Sequence, residues 1–436
     1  MTKEDVSVFW FRRDLRLEDN IGLYHALKSS NQVIPLFIFD EDILDDLPKN
    51  DARVTFIYES LYRIHKELKT HNSSLLLRNG IVKDVWQDLV EQFNIKAVYF
   101  NKDYEPYGIK RDQNIITFLN SKGIPTFTFK DQVIFEENDI LKADTQPYTV
   151  YTPYKNKWLQ KLQLTDYNSI LYDPSLLINF HQFDIEFPSL EHIGFIKSTQ
   201  KVQPYKLEVI DDYDLYRDLP GIDKTSYLSP HLRFGTVSIR KLVSIALLKN
   251  QSFLSELIWR EFFMQILFHF PKVVTNNFKR NYDGIEWRDN ITEFKKWCEG
   301  NTGYPLVDAG MRQLNETGYM HNRVRMVVAG FLCKHLLIDW RLGEAYFANK
   351  LLDYELSSNN GNWQWAAGTG CDAAPYFRVF NPIIQLEKFD KNLEYVKKWI
   401  PELDTTYCKQ IVDHKFARDR AIETYKKGIL RKLNPM

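Results

Sequence analysis

The sequence predicts an α/β plus all-α chain: an N-terminal Rossmann-like, doubly wound parallel sheet domain, a long connector, and a C-terminal helical domain. Three observations predict it. Short apolar runs alternate with longer amphipathic ones over roughly the first 130 residues. The periodicity then fades into Pro, Asp, Tyr and Gln-rich sequence from about Phe135 to Tyr205. Beyond Tyr213 apolar positions recur at three- and four-residue spacing only. At 436 residues the chain is too long for one ordinary core. The expected divisions are 1–131, 132–205 and 206–436.

Five runs read as strands: "VSVFWF" (Val6–Phe11), "VIPLFIFD" (Val33–Asp40), "SLLLR" (Ser74–Arg78), "AVYF" (Ala97–Phe100) and "TFTF" (Thr126–Phe129). Helical patterns separate them at Asn20–Ser29, Ala52–Lys69, Val85–Phe93 and Ile109–Ser121. Such alternation predicts parallel strands with helices on both faces. No GxGxxG occurs, so the dinucleotide fingerprint is missing. The connector is expected on the surface with short helices. In the last region "SFLSELIWREFFMQILFHF" and "NRVRMVVAGFLCKHLLIDW" are each of helix length.

Composition narrows the function classes. The N-terminus has no basic segment followed by an apolar one, so no signal peptide is expected. No apolar run reaches about 18 residues, so no membrane span is expected. Cys298, Cys333, Cys371 and Cys408 lack CxxC spacing, which argues against a metal site or disulfide framework and for a reducing, cytoplasmic setting. Residues 1–205 hold 24 Lys+Arg against 29 Asp+Glu, and residues 206–436 hold 33 against 28. Seven of the 10 tryptophans also lie in the second part. A mildly basic, aromatic-rich half is compatible with a nucleic-acid partner, although compositional drift explains the charge alone.

Four constellations in the helical half carry candidate chemistry. In "KTSYLSPHLRFGTVSIRKL" (Lys224–Leu242), Ser229 before Pro230 matches an N-cap, with Thr225 and Ser226 upstream. Free amides and hydroxyls at a helix start suit a phosphate, or simply cap the helix. In "ELIWRE", Glu256, Trp259 and Arg260 share a helix face. They can hold a planar heterocycle, or form a core Trp beside a solvated Glu–Arg pair. In "MHNRVRM", Asn322 and Met326 share a stripe beside Arg323, while Arg325 lies about 200° from Arg323. Two polar partners, or one ion pair and one surface arginine, satisfy that divergence. In "NNGNWQWAAGTGCDAAPYF" (Asn359–Phe377), Trp363 and Trp365 point to nearly opposite sides of any helix. Asp353, Glu355 and Asn359 bring acidic and amide groups suited to the edge of a flavin or nucleobase. Two tryptophans alone fit a core equally well.

Together, in this order, these blocks resemble the photolyase/cryptochrome family. "VFWFRRDLRLEDN", "TSYLSPHLRFG", "ELIWREFF", "WCEGNTGYPLVDAGMRQLNETGYMHNRVRM" and "NNGNWQWAAGTGCDAAPYFRVFNPIIQLEKFD" are similar to its signature segments and span nearly the whole chain. The resemblance is closest to class I cyclobutane pyrimidine dimer (deoxyribodipyrimidine) photolyases. It implies a monomeric, light-dependent DNA repair enzyme carrying FAD in the helical domain and no metal. Photoexcited reduced FAD would pass an electron to the flipped-out dimer.

The same resemblance implies roles residue by residue. Tyr213, Thr225, Ser226, Tyr227, Leu228 and Ser229 resemble the phosphate and ribityl contacts. Arg260, Arg325, Asp353, Tyr354, Glu355 and Asn359 resemble the groups around the flavin ring, with Arg325 pairing Asp353. Arg217, Glu256, Trp259, Arg260, Asn322, Arg323, Met326, Trp365 and Gln385 resemble the DNA and lesion contacts. Glu256 and Asn359 are also expected in the chemistry, with Trp363, Trp340 and Trp287 as an electron relay.

Tyr227 stands where Arg is common, Tyr319 where Trp is common, and Glu355 where Asp is usual. Tyr107 and Gly108 stand where folate-binding members carry Asn–Glu. That argues against a methenyltetrahydrofolate antenna and leaves a deazaflavin, another flavin or an empty site open. A cryptochrome-type photoreceptor is the alternative within the family, and a flavoprotein that binds single strands by stacking the alternative outside it.

Overall fold

The computed structural model describes residues 3–163 and 172–433. Two compact units emerge from the contacts. The first comprises Met1–Glu136, Lys161–Tyr205 and Tyr227–Leu248; the second comprises Glu137–Gln160, Lys206–Ser226 and Lys249–Met436. Residues 227–248, which the sequence groups with the helical half, thus cluster with the sheet.

In the first unit the strands are β1 (Asp5–Phe11), β2 (Val33–Asp40), β3 (Leu76–Gly80), β4 (Asn94–Asn101) and β5 (Thr126–Phe129). They form one parallel sheet in the order β3-β2-β1-β4-β5. Period-two alternation sorts β1 between two cores. Phe9 and Phe11 enter one with Phe37, Leu61 and Leu68. Val8 and Trp10 enter the other with Leu36, Trp86 and Val98. Both faces are covered, which explains why every residue of β2 is buried. Pro35 is tolerated because pairing of β2 with β3 begins only at Leu36.

Buried charges brace the carboxyl ends of the strands. Arg240 Nε meets Asp19 Oδ1 at 3.0 Å and its Nη2 meets Asp131 Oδ1 at 2.8 Å. Arg16 Nη2 meets Asp131 Oδ2 at 2.7 Å. The Leu15 amide also donates to the Phe234 carbonyl at 3.1 Å. Nearby, the Tyr107 hydroxyl donates to Asp40 Oδ2 at 2.7 Å.

The connector is less superficial than its composition suggests. It contains the helix Tyr151–Leu162, and Phe135, Ile140, Tyr154, Trp158 and Phe180 are buried. Tyr151, Tyr154 and Trp158 recur at helical spacing, so a single face enters the core. Polar side chains between them disguise that face in the sequence.

The second unit is helical. Gln251–His269 is capped by Asn250, whose side chain accepts from the Ser252 and Phe253 amides at 3.0 and 3.1 Å. Leu356–Ala367 ends at Gly368, whose φ of 86° suits glycine. A Cβ on Gly361 would lie 2.2 Å from the Phe263 ring, so glycine lets these two helices meet closely. "NRVRMVVAGFLCKHLLIDW" is not one α-helix. Asn322–Gly330 is followed by a π-helical turn, Phe331–Leu336, and the helical run ends at Leu337 with φ 53°. A fresh helix, Trp340–Lys350, then starts on an Asp339 cap.

Candidate functional site

A cleft in the second unit lies among the Asn322–Gly330, Trp340–Lys350 and Leu356–Ala367 helices and the turn at 351–355. Its empty volume is about 600 Å³, counting space open to solvent. Asn322, Arg325 and Met326 line it from the first helix, and Phe347 from the second. The turn contributes Leu351, Asp353, Tyr354 and Glu355. The last helix contributes Ser358, Asn359, Trp363 and Trp365. Nine sequence-predicted residues therefore share one wall system: Asn322, Arg325, Met326, Asp353, Tyr354, Glu355, Asn359, Trp363 and Trp365.

The polar rim is held by ion pairs. Arg325 Nη2 meets Asp353 Oδ2 at 2.8 Å, while its Nε donates to the Met320 carbonyl at 2.8 Å. Arg260 Nη2 meets Glu355 Oε1 at 3.2 Å, and the Ser358 hydroxyl donates to Glu355 Oε2 at 3.1 Å. The Asn359 amide donates to Glu344, at 2.8 Å to Oε1 and 3.2 Å to the carbonyl. Burial raises the Glu344 carboxyl and this hydrogen bond lowers it, with a net upward shift. The apolar wall is equally fixed. Trp363 packs edge-on against Phe347 at 5.0 Å and Trp297 at 6.1 Å. Trp365 is half-buried, tilted toward Phe380 at 6.5 Å.

The two arginines of "NRVR" do take different partners. Arg323 Nη2 meets Asp218 Oδ1 at 2.6 Å and its guanidinium covers the Phe389 ring at 4.3 Å. Gln385 lies one turn before Phe389 on the helix Pro382–Phe389, hence on the same face. His321 caps the Asn322–Gly330 helix, its Nδ1 accepting from the Arg323 amide at 3.2 Å. Burial lowers that imidazole to about 4.

Glu256 and Arg260 do not pair with each other. Glu256 Oε1 meets Arg217 Nη2 at 2.8 Å, and the Arg217 guanidinium covers the Tyr213 ring at 5.2 Å. Burial raises the Glu256 carboxyl, and Arg217 only partly reverses this. Trp259 lies parallel to Tyr151, 3.6 Å between centroids. Tyr151, Glu344 and Asp218 carry no sequence signal: Tyr151 and Asp218 meet partners more than a hundred residues away, and Glu344 is a lone acid in an amphipathic helix whose partner Asn359 lies on the next helix.

One expectation needs correction. Ser229 is not the N-cap: the helix Leu228–Phe234 starts two residues earlier than that cap implies, on Tyr227 at φ 54°, which makes no side-chain cap bond. Ser229 sits in the first turn because Leu228 is already helical and buried. Leu228 and Ser229 also belong with Tyr227 to the first unit, whereas Tyr213, Thr225 and Ser226 belong to the second. Of the relay, Trp340 is buried and donates to Asn277 Oδ1 at 2.9 Å. Trp287 is half-buried against Tyr425 at 5.8 Å.

A cleft lined by aromatic side chains together with anchored carboxylate and amide groups fits a planar heterocycle with polar edges. The described residues offer no cluster of metal-ligating side chains. Known proteins match this arrangement throughout. The family model described as DNA photolyase matches residues 7–172, and that described as FAD binding domain of DNA photolyase matches 253–406. A Synechococcus deoxyribodipyrimidine photo-lyase is 36% identical, the alignment covering 93% of this chain and 90% of that one. A bacterial class III photolyase from Agrobacterium tumefaciens superposes with a TM-score of 0.87 at 33% identity, covering 98% of both chains. An archaeal photolyase from Sulfolobus tokodaii, solved with two FAD molecules, gives 0.85 at 34%, covering 97% of this chain and all of that one. With matches of this extent over both units, the chain belongs to the DNA photolyase family.

Proposed function

We propose that the cleft holds FAD and that the chain repairs cyclobutane pyrimidine dimers in DNA under light. One observation carries this reading: Asp353, Glu355 and Asn359, two of them tied to arginines, line one cleft together with Trp363 and Phe347. The chemistry that bound FAD supplies is light-driven transfer of one electron to the dimer and its return.

The chain's own residues bind, orient and protect. The Arg325–Asp353 and Arg260–Glu355 pairs fix carboxylate oxygens that accept from ring N–H groups, and Asn359 offers its amide at the same edge. Tyr213, Thr225 and Ser226 serve the phosphate side. Met326, Trp259 and Trp365 pack against the flipped-out pyrimidines, with Asn322, Arg323, Arg217 and Gln385 holding the flanking DNA. Glu256 accepts from base N–H groups; its raised carboxyl can also take a proton and donate it to the carbonyl that gains charge. Trp363, Trp340 and Trp287 pass electrons inward from a half-buried outer position. We read the protein as a cytoplasmic monomer, its four cysteines being free thiols, and without a folate antenna, Tyr107 and Gly108 standing in place of Asn–Glu.

The test is repair of a dimer-bearing oligonucleotide by protein loaded with reduced FAD. Repair under blue light and none in the dark is expected. No repair under light overturns the proposal. Stable FAD binding and a light response without repair would move the chain to the cryptochrome reading.

A further inference from the structure

Tyr151 belongs to no signature segment, yet it makes the tightest parallel ring contact described in the chain. Its ring lies 3.6 Å from the Trp259 ring, 8° from parallel. Three further contacts fix it. Its hydroxyl donates to the Ser255 carbonyl at 2.7 Å, one turn before Trp259 on the same helix. Its backbone amide donates to Asp372 Oδ2 at 3.0 Å, in the loop after the helix that carries Trp363 and Trp365. Its ring edge meets Phe262 at 5.9 Å. Below it, Tyr154 packs on Phe262 at 5.2 Å, and Trp158 Nε1 donates to Glu261 Oε1 at 2.6 Å.

A half-exposed indole on a helix ordinarily samples more than one rotamer. Here a buried phenol, itself tied at hydroxyl and amide, lies flat against it. Such a stack stabilises any pair of rings it joins, and a stacking platform for a base has the further need to hold one tilt. Ser255, which receives the hydroxyl bond, directly precedes Glu256, so the phenol also steadies the turn that presents that carboxylate.

We propose that Tyr151 is a positioning residue for the lesion, fixing the indole of Trp259 through the parallel stack. This rests on the reading of Trp259 as a dimer contact. Tyr151→Leu keeps apolar bulk and removes the aromatic face; Tyr151→Phe keeps the face and removes only the hydroxyl. The measurements are affinity for a dimer-bearing oligonucleotide, affinity for the undamaged one, and FAD occupancy.

Tyr151→Leu should lose about tenfold in dimer affinity. Its affinity for undamaged DNA and its FAD content should match wild type, and Tyr151→Phe should stay close to wild type. Full discrimination by Tyr151→Leu overturns the proposal. So does parallel loss of both affinities, which marks a general packing role. So does a Tyr151→Phe variant as weak as Tyr151→Leu, which assigns the effect to the hydroxyl. Wild-type protein that prefers no dimer removes the lesion reading itself, and this inference with it; wild-type discrimination kept by Tyr151→Leu removes this inference alone.

Discussion

Gly343→Ala pits helix propensity against packing, and the distances say which wins. Gly343 lies in the Trp340–Lys350 helix, where alanine would by itself gain about 1 kcal/mol. A Cβ there would lie 2.2 Å from Trp363 Cη2 and 2.6 Å from Leu332 Cδ2. Carbon atoms need about 3.5 Å, so something must move by roughly 1.3 Å. Trp363 has little room to retreat, being 2% exposed and held by Phe347 and Trp297. Overpacking of this kind costs about 1–3 kcal/mol. The net effect should be a loss of up to about 2 kcal/mol, with a displaced Trp363 and slower photoreduction of bound FAD. Urea unfolding and photoreduction under blue light check both. A variant more stable than wild type by about 1 kcal/mol, with normal photoreduction, would refute the reasoning, because propensity would then outweigh the clash.

Trp363→Phe should block photoreduction while repair by pre-reduced enzyme persists, since phenylalanine keeps the bulk but is much harder to oxidise; normal photoreduction would point to another route. Glu256→Ala should lower repair per absorbed photon and weaken dimer affinity by about 1–3 kcal/mol, because Arg217 loses its partner. FAD occupancy should not change, and lost flavin with normal repair by the remaining holoenzyme would put Glu256 on the cofactor side. Burial lowers the Lys334 ammonium from 10.5 to about 7, its Nζ lying 3.9 Å over the Tyr425 ring. Above that pH the folded chain holds a neutral amine while the unfolded chain keeps its proton up to 10.5. Stability from this group therefore grows as pH rises through that window and is lost as pH falls through about 7. The stability difference between wild type and Lys334→Met, measured by urea unfolding, should widen in favour of wild type across the window; a constant difference would contradict it.

What the sequence reveals depends on how local the cause is. Val33–Asp40, Ala52–Lys69 and Thr126–Phe129 are read at their observed limits, since a continuous apolar run or a capped amphipathic one carries its own boundaries. The third strand slips from Ser74–Arg78 to Leu76–Gly80. Ser73 and Ser74 donate instead to the carbonyls of His181 and Phe183, partners more than a hundred residues on. The i, i+4 spacing of Glu256 and Arg260 suggests a pair, yet each finds a partner on another element. The residues lining the cleft were legible because they cluster in two long segments. Tyr151 was not, since a stack between distant rings leaves no trace in spacing.

The alternation of segments between the two units bears on how the chain is made. It passes from one unit to the other five times, the last at Leu248/Lys249. A ribosome that has released the whole sheet has not yet released Arg240, so Asp19 and Asp131 wait without that guanidinium. At about 5–20 residues per second, the wait between Asp19 and Arg240 is on the order of ten seconds or more. A nascent chain stopped at residue 205 thus carries complete strands but an unfinished brace, and cutting the gene between the sheet and the helices would strip Asp19 of its arginine and leave Asp131 with Arg16 alone.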